Sequence, residues 1–185
     1  MRSEPCVNIA IGLREGDVGS FDLLVERYGE RLYWHIRRIV VRHDEAEDIL
    51  QETFVKAYTS RESFRSDTES SLTAWLYRVA TTLSIKALRK RKRNIFAPLD
   101  SVRVDLLDSF EQEVDSSADE IVVRLQKAIL ELPTKQRLVF NMRYYDELSF
   151  EQIAQATGDS VSTLKTNYHY AVKRIKEQVR VIEID

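Results

Sequence analysis

Five carboxylates stand within ten residues of this chain, at Asp44, Glu45, Glu47, Asp48 and Glu52 in HDEAEDILQE. On a helix, steps of three and four place Glu45, Asp48 and Glu52 on one face. Such a face could hold a metal or work as a catalytic pair. Metal sites of this kind usually recruit a histidine at a helical offset and a second ligand set from another helix, and no second set is found. His35, His43 and His169 are scattered, and Cys6 is the only cysteine. There is no glycine-rich phosphate loop, no metal-ligand cysteine cluster and no nucleophile motif. The sequence therefore points to no catalytic residue, no metal and no cofactor. The acidic face is either a solvated surface or a surface on which another protein docks.

Basic chemistry is concentrated elsewhere. Residues 86–93, KALRKRKR, hold six basic side chains in eight. They continue an amphipathic pattern in which Leu72, Trp75, Leu76, Val79, Leu83 and Ala87 mark a core face. Arg78, Thr82, Lys86, Arg89 and Arg93 fall on an adjoining stripe. A basic run is usually just solvated. Here its place on a helix beside Trp75 and Tyr77 favours contact with phosphates.

A third stretch, residues 149–176, reads as two helices around a corner. Ser149 caps the first, with Gln152 as capping-box partner. Gly158 supplies a left-handed corner. Ser160 caps the second helix, whose apolar marks are Leu164, Tyr168, Ala171 and Ile175. Ala154, Gly158 and Leu164 have the spacing of a helix-turn-helix. The second helix offers Ser162, Thr163, Lys165, Thr166, Asn167, His169, Lys173 and Arg174, donors and acceptors suited to base edges and phosphates. An ordinary helical hairpin with a polar face is the plainer alternative.

These groups must be positioned by an all-α framework. The 185 residues allow one or two domains, and 5 Gly with 3 Pro leave room for long helices rather than many turns. A net charge of −2 hides a strong segregation of sign. A short helix is expected over residues 8–15. A longer one carries Phe21, Leu24, Val25, Tyr28, Leu32, Ile36 and Ile39 inside, with His35, Arg37 and Arg38 off that stripe. Asp44 is expected to cap the acidic helix with Glu47, and Ala46, Ile49, Leu50, Thr53, Ala57 and Tyr58 to face inward. Residues 60–70 read as a polar loop with Phe64 and Arg65 exposed or half exposed, and residues 72–93 as the basic helix. Residues 98–120 then hold eight acids against one base, Arg103, the composition of a flexible linker. Ile121, Val122, Leu125, Ile129 and Leu132 mark a further helix, which Pro133 stops. Thr134 starts the next, buried through Leu138, Val139, Met142 and Tyr145. A single cysteine fits a reducing compartment. No apolar run is long enough to span a membrane, and the first residues do not read as a signal peptide. A cytoplasmic protein is expected.

Three segments together resemble the extracytoplasmic-function (ECF) group of bacterial sigma-70 factors. They are FDLLVERYGERLYWHIRRIV with DEAEDILQETFVKAY, then SLTAWLYRVATTLSIKALRKRKR, then LPTKQRLVFNMRYYDELSFEQIAQATGDSVSTLKTNYHYAVKRIKE. The DxAEDxxQETF and LPxxQR elements in this order are specific. The resemblance implies two helical domains, sigma region 2 over residues 8–94 and sigma region 4 over residues 119–182, joined by an acidic flexible linker over residues 95–118. It implies a non-catalytic subunit that directs core RNA polymerase to promoters, of stress or envelope-responsive genes. Asp48, Gln51, Glu52 and Phe54 would dock on the polymerase clamp helices, and region 4 on the flap. Phe64, Arg65, Arg78, Thr82, Lys86 and Arg89 would read and melt the −10 element, with one base flipped into a pocket of the 60–70 loop. Ser162, Thr163, Lys165, Thr166, Asn167, His169, Lys173 and Arg174 would read the −35 element. An anti-sigma factor is the further partner implied, and membrane insertion is not.

The chain departs from the family at Thr81-Thr82, where Arg-Asn is common, and at Lys86, where an acid is common. Ser162 stands where Gly is frequent, and Asn167 and Tyr170 stand where Arg is frequent. These departures are expected on DNA-facing positions, so no consensus promoter carries over. A free-standing repressor using the same helix-turn-helix, and a nuclease using the clustered acids, are the competing classes. The first would need an effector pocket or dimer seam in the first half, the second a further ligand set.

Overall fold

A computed structural model of the chain describes residues 8–91, 106, 107, 109, 110 and 120–180, and these residues include eight α-helices. Helix α1 (Ile9–Glu15) opens where the Asn8 side chain accepts the N–H groups of Ala10 and Ile11, and closes on Gly16 at φ 78°. Helix α2 (Val18–Val40) opens on Asp17, whose carboxylate accepts the Ser20 N–H at 2.7 Å. Bonding to Ser20 holds the Asp17 carboxyl below its usual range. The buried stripe of α2 is Leu24, Tyr28, Leu32, Ile36 and Ile39. Val25, expected inside, is exposed, and His35, expected outside, is 0% exposed. The stripe is rotated toward His35 because a second helical unit covers that side.

Helix α3 (His43–Thr59) starts one residue before the expected cap. Arg42 holds the cap position without a side-chain bond, and Asp44 lies in the first turn. There the Glu45 N–H and the Arg42 guanidinium lower the Asp44 pKa, as a helix N-terminus favours. Ala46, Ile49, Thr53 and Ala57 are buried as expected. A 3-10 turn (Arg61–Ser63) leads to α4 (Glu69–Arg91), which begins earlier than residue 72. Glu45 does not join the outer acidic face. It is half-buried against Arg91 of α4, which also donates to the Val40 carbonyl at 3.2 Å.

The second unit is α5 (Glu120–Leu130), α6 (Thr134–Tyr144), α7 (Phe150–Thr157) and α8 (Val161–Arg180). Its corner is built as the sequence indicates. Ser149 and Gln152 form the capping box at 3.1 and 2.9 Å, and Gly158 ends α7 at φ 80°. The Ser160 hydroxyl accepts the Thr163 N–H at 3.1 Å. Leu164, Ala171 and Ile175 are buried. Ile121 and Val122 are not: Ile121 is 71% exposed, because burial on α5 grows from its middle, where Leu125 is half-buried, to its last turn, Ala128 to Leu130.

The two units are joined. Helix α7 lies along α4, and Leu138, Val139, Met142, Leu148, Ile153, Ala156 and Leu164 belong to the same apolar core as Leu24, Leu76 and Leu88. The expected flexible linker falls mostly outside the described residues; Leu106, within it, is fully buried in that core.

Gly12 sets how closely α1 approaches α2. A Cβ there would stand 1.9 Å from Ser20 Oγ and 2.6 Å from Ser20 Cβ. Gly12→Ala should therefore cost about 1–3 kcal/mol through overpacking, read as a lower urea midpoint at unchanged slope. An unaltered midpoint would contradict the close approach.

Candidate nucleic-acid and polymerase interfaces

On α4, Arg78, Thr82, Lys86 and Arg89 are exposed along one stripe, at offsets of four, eight and eleven. The Thr82 hydroxyl donates to the Arg78 carbonyl at 2.7 Å, so it must turn before it can reach a base. Arg65 is exposed. Phe64 corrects the sequence reading: it is 4% exposed, with its ring 5.3 Å from that of Trp75. The loop tucks this ring under itself because an isolated phenyl gains by leaving water. Phe64 thus forms a wall rather than a free contact.

That wall belongs to a cavity of about 340 Å³ lined by Ser63, Phe64, Arg65, Ser66, Trp75, Arg78 and neighbouring residues. Aromatic surface, hydroxyls and guanidinium groups converge there, the mixture that holds an unstacked base. Sequence reasoning misses Trp75 and the serines as site residues, since a Trp at helical spacing reads as core. Thr82 and Arg89 line a second cavity of about 680 Å³, shared with Lys135, Asp159 and Leu164 of the other unit. Lys86 lines neither.

On α8, Ser162, Thr163, Lys165, Thr166, His169, Lys173 and Arg174 are exposed and Asn167 is half-buried. The hydroxyl of Thr163 is paired with that of Ser160 at 2.9 Å, and that of Thr166 donates to the Ser162 carbonyl at 3.0 Å. Lys165 Nζ lies 5.8 Å from the Phe150 ring centre, a cation–π contact that steadies it at the start of α8. Among the family departures, Thr81 is buried rather than DNA-facing, while Thr82, Lys86, Ser162 and Tyr170 are exposed.

On α3, Asp48, Gln51 and Glu52 are exposed on one face, and Phe54 is half-buried against Phe21 with ring centres 6.4 Å apart. Val55, seven residues past Asp48, is 61% exposed on that face. An apolar side chain left in water amid acids marks a docking surface better than acids alone. The other acids of this stretch have basic neighbours: Asp44 with Arg42, Glu45 with Arg91 and Glu47 with His43. No described helix is long and apolar enough to cross a membrane.

Comparison with known proteins bears on these surfaces. Residues 24–94 match the sigma-70 region 2 family and residues 123–175 match sigma-70 region 4. The chain is 33% identical over 176 residues to the ECF RNA polymerase sigma factor SigW of Bacillus subtilis, covering 91% of this chain and 93% of that one. This chain belongs to the ECF sigma factors. It is 30% identical to the RNA polymerase sigma-H factor of Pseudomonas aeruginosa, over 91% of this chain and 90% of the relative. In fold it is similar to the sigma factor RpoE of Bartonella quintana solved with the anti-sigma factor NepR. That match has TM-score 0.68 and 22% identity, and covers 89% of this chain and 99% of the other. As a sigma factor the chain has no chemistry of its own; it is a specificity subunit of RNA polymerase that directs promoter-specific initiation.

Because Phe64 is a packed wall, Phe64→Ala should destabilise the sigma factor by about 3–5 kcal/mol, with Phe64→Leu recovering much of the loss. Thermal unfolding monitored by circular dichroism reads this. Equal melting of Phe64→Ala and wild type would return Phe64 to the exposed loop.

Proposed function

We propose that this sigma factor reads its promoter at two points while a third surface holds polymerase. Region 2, residues 8–94, would dock through Asp48, Gln51, Glu52 and Phe54, with Val55 as the apolar contact. Arg65, Arg78, Thr82, Lys86 and Arg89 would track the −10 strand, and the recess walled by Phe64 and Trp75 would take an unstacked base. Region 4, residues 119–182, would read the −35 duplex through Ser162, Thr163, Lys165, Thr166, Asn167, His169, Lys173 and Arg174, and contact the polymerase flap. Residues 95–118 would link them. The reading includes a cytoplasmic site of action, a stress- or envelope-responsive set of genes, and control by an anti-sigma factor.

The observation that carries it is the cavity of about 340 Å³ opening beside the basic stripe of α4. A solvated basic helix needs no aromatic recess at its side; a helix that melts duplex does. Two weak DNA contacts joined through one polymerase also gain effective concentration without further contacts. In vitro transcription with core polymerase on a fragmented genomic library tests the reading. Start sites should share two upstream elements at a constant separation; starts scattered without such elements would overturn it.

Two surfaces can be tested separately. Lys165→Ala and Arg174→Ala should each weaken promoter binding by the holoenzyme and flatten its salt slope by about one unit. Slopes equal to wild type would displace the recognition helix. Asp48→Lys or Glu52→Lys should reduce capture of core polymerase at least about tenfold through like-charge or lost ion-pair contacts, and capture at wild-type level would remove α3 as the docking face.

A further inference from the structure

Helix α1 carries none of the surfaces assigned to polymerase or promoter, yet it is firmly fixed. Ile9, Ala10 and Leu13 on its inner face are buried in the core. Seven residues do not sustain a helix on their own, so packing holds this one in place. Its polar side chains and its C-cap then meet the 60–70 loop at both ends. At the start of the loop, the Arg61 side chain lies against Gly16, where a Cβ would stand 3.2 Å from Arg61 Nε. The Arg61 guanidinium donates to the Tyr58 carbonyl at 2.9 Å and covers the Tyr58 ring at 4.7 Å. At the far end, Asn8 Nδ2 donates to the Asp67 carbonyl at 2.9 Å, and Arg14 pairs with the Asp67 carboxylate. Glu69, which opens α4, pairs with Arg27 of α2.

Between these ties lie Ser63, Phe64, Arg65 and Ser66, all of which line the recess beside the basic stripe of α4. The facing wall, Trp75 and Arg78, stands on α4 itself. One wall is thus helical and the other is a loop. The loop's own bonds are short in range. The Ser63 N–H and hydroxyl donate to the Ser60 carbonyl at 2.9 and 2.6 Å, and the Phe64 N–H donates to the Arg61 carbonyl at 3.0 Å. Such bonds shape the loop without setting its distance from α4. The contact of Phe64 with Trp75 and the ties to α1 act across that distance.

We infer that α1 is the positioning element of the base-capturing recess: Asn8 and Arg14 tie Asp67, and the tie sets how far the loop wall stands from Trp75 and Arg78. The role rests on the base-capture reading proposed above. Arg14 and Asp67 are positioning residues and do not touch the base. Their side chains are 34% and 59% exposed, and pairs so open to water add little to global stability. Holding one loop position out of several is a different contribution. It removes ordering cost that would otherwise fall due when a base enters. Arg14 also neutralises a carboxylate that would stand unanswered beside a strand of phosphates.

The test uses the full chain, free and in holoenzyme. Arg14→Met and Asp67→Asn each remove the ion pair. Asn8→Asp removes the donor to the Asp67 carbonyl and keeps an acceptor that caps α1. Thermal unfolding of all three should stay close to wild type, while amide exchange over residues 61–68 of the free chain should quicken about threefold to tenfold. In holoenzyme, on a promoter recovered by the library transcription, a fluorescent purine analogue at each −10 position reports unstacking of the captured base. Capture should slow by about threefold to tenfold for each tie removed. The swap Arg14→Asp with Asp67→Arg restores the pair and should recover most of the wild-type rate. Unchanged exchange in the variants would overturn the tie. Faster exchange with capture at the wild-type rate, or slow single variants that the swap leaves equally slow, would overturn the positioning role. A wild type that captures no base at any position would instead overturn the recess reading, and the exchange measurement, which needs neither polymerase nor DNA, keeps the two failures apart.

Discussion

A carboxylate taken out of water must be answered by donors, and Asp146 is answered by side chains more than a hundred residues away. That constraint ties the two halves of the molecule. The turn bearing Asp146 cannot leave α2 without returning Asp146, His35 and part of Arg38 to solvent together. The positive φ of Glu147, 56°, belongs to the same turn, a conformation that non-glycine residues adopt at some cost. With the turn seated, the helix-turn-helix takes its place on α4, and the apolar core runs unbroken from Leu24 to Ile153 and Leu164. Closure therefore combines a polar contact that sets the register with apolar contacts that fill it.

A sigma factor must also present its binding surfaces. Its chemistry belongs to the polymerase, and its contribution is to direct initiation to promoters. The stripe of α4 and the outer face of α8 are chemically ready in the closed chain, since Arg78, Lys86, Lys165 and Arg174 are all exposed. The acidic face of α3 that carries Asp48, Gln51 and Glu52 is exposed in the same arrangement.

Much of this is legible in the chain because it is local. The Ser149–Gln152 box, the Gly158 corner and the Leu164, Ala171, Ile175 stripe follow from rules spanning a few residues, and the structure has all three. The exposed positions on α4 and α8 follow from helical periodicity alone. The misreadings share a cause. His35 and Thr81 are polar residues buried by a unit distant in sequence. Phe64 is hidden by Trp75, eleven residues on, across a loop without periodicity. Ile121 is apolar but lies beyond the reach of the helix that covers Ile129. Asp44 reads as a cap and instead lies within the first turn, because Arg42 can hold the cap position through its backbone alone. Each depends on which surfaces meet, and no local rule carries that information.

The central claim is that the two helical units pack as one body, seated by Asp146 on α2 and filled by a shared apolar core. The most direct measurement is the distance between spin labels on the outer faces of α3 and α8, at Lys56→Cys and Lys176→Cys in a Cys6→Ser background. It would be made on the free chain, with Asp146 intact and with Asp146→Asn. A single short distance is expected with Asp146 intact and a longer, broader one in the variant. The same distance in both would contradict it.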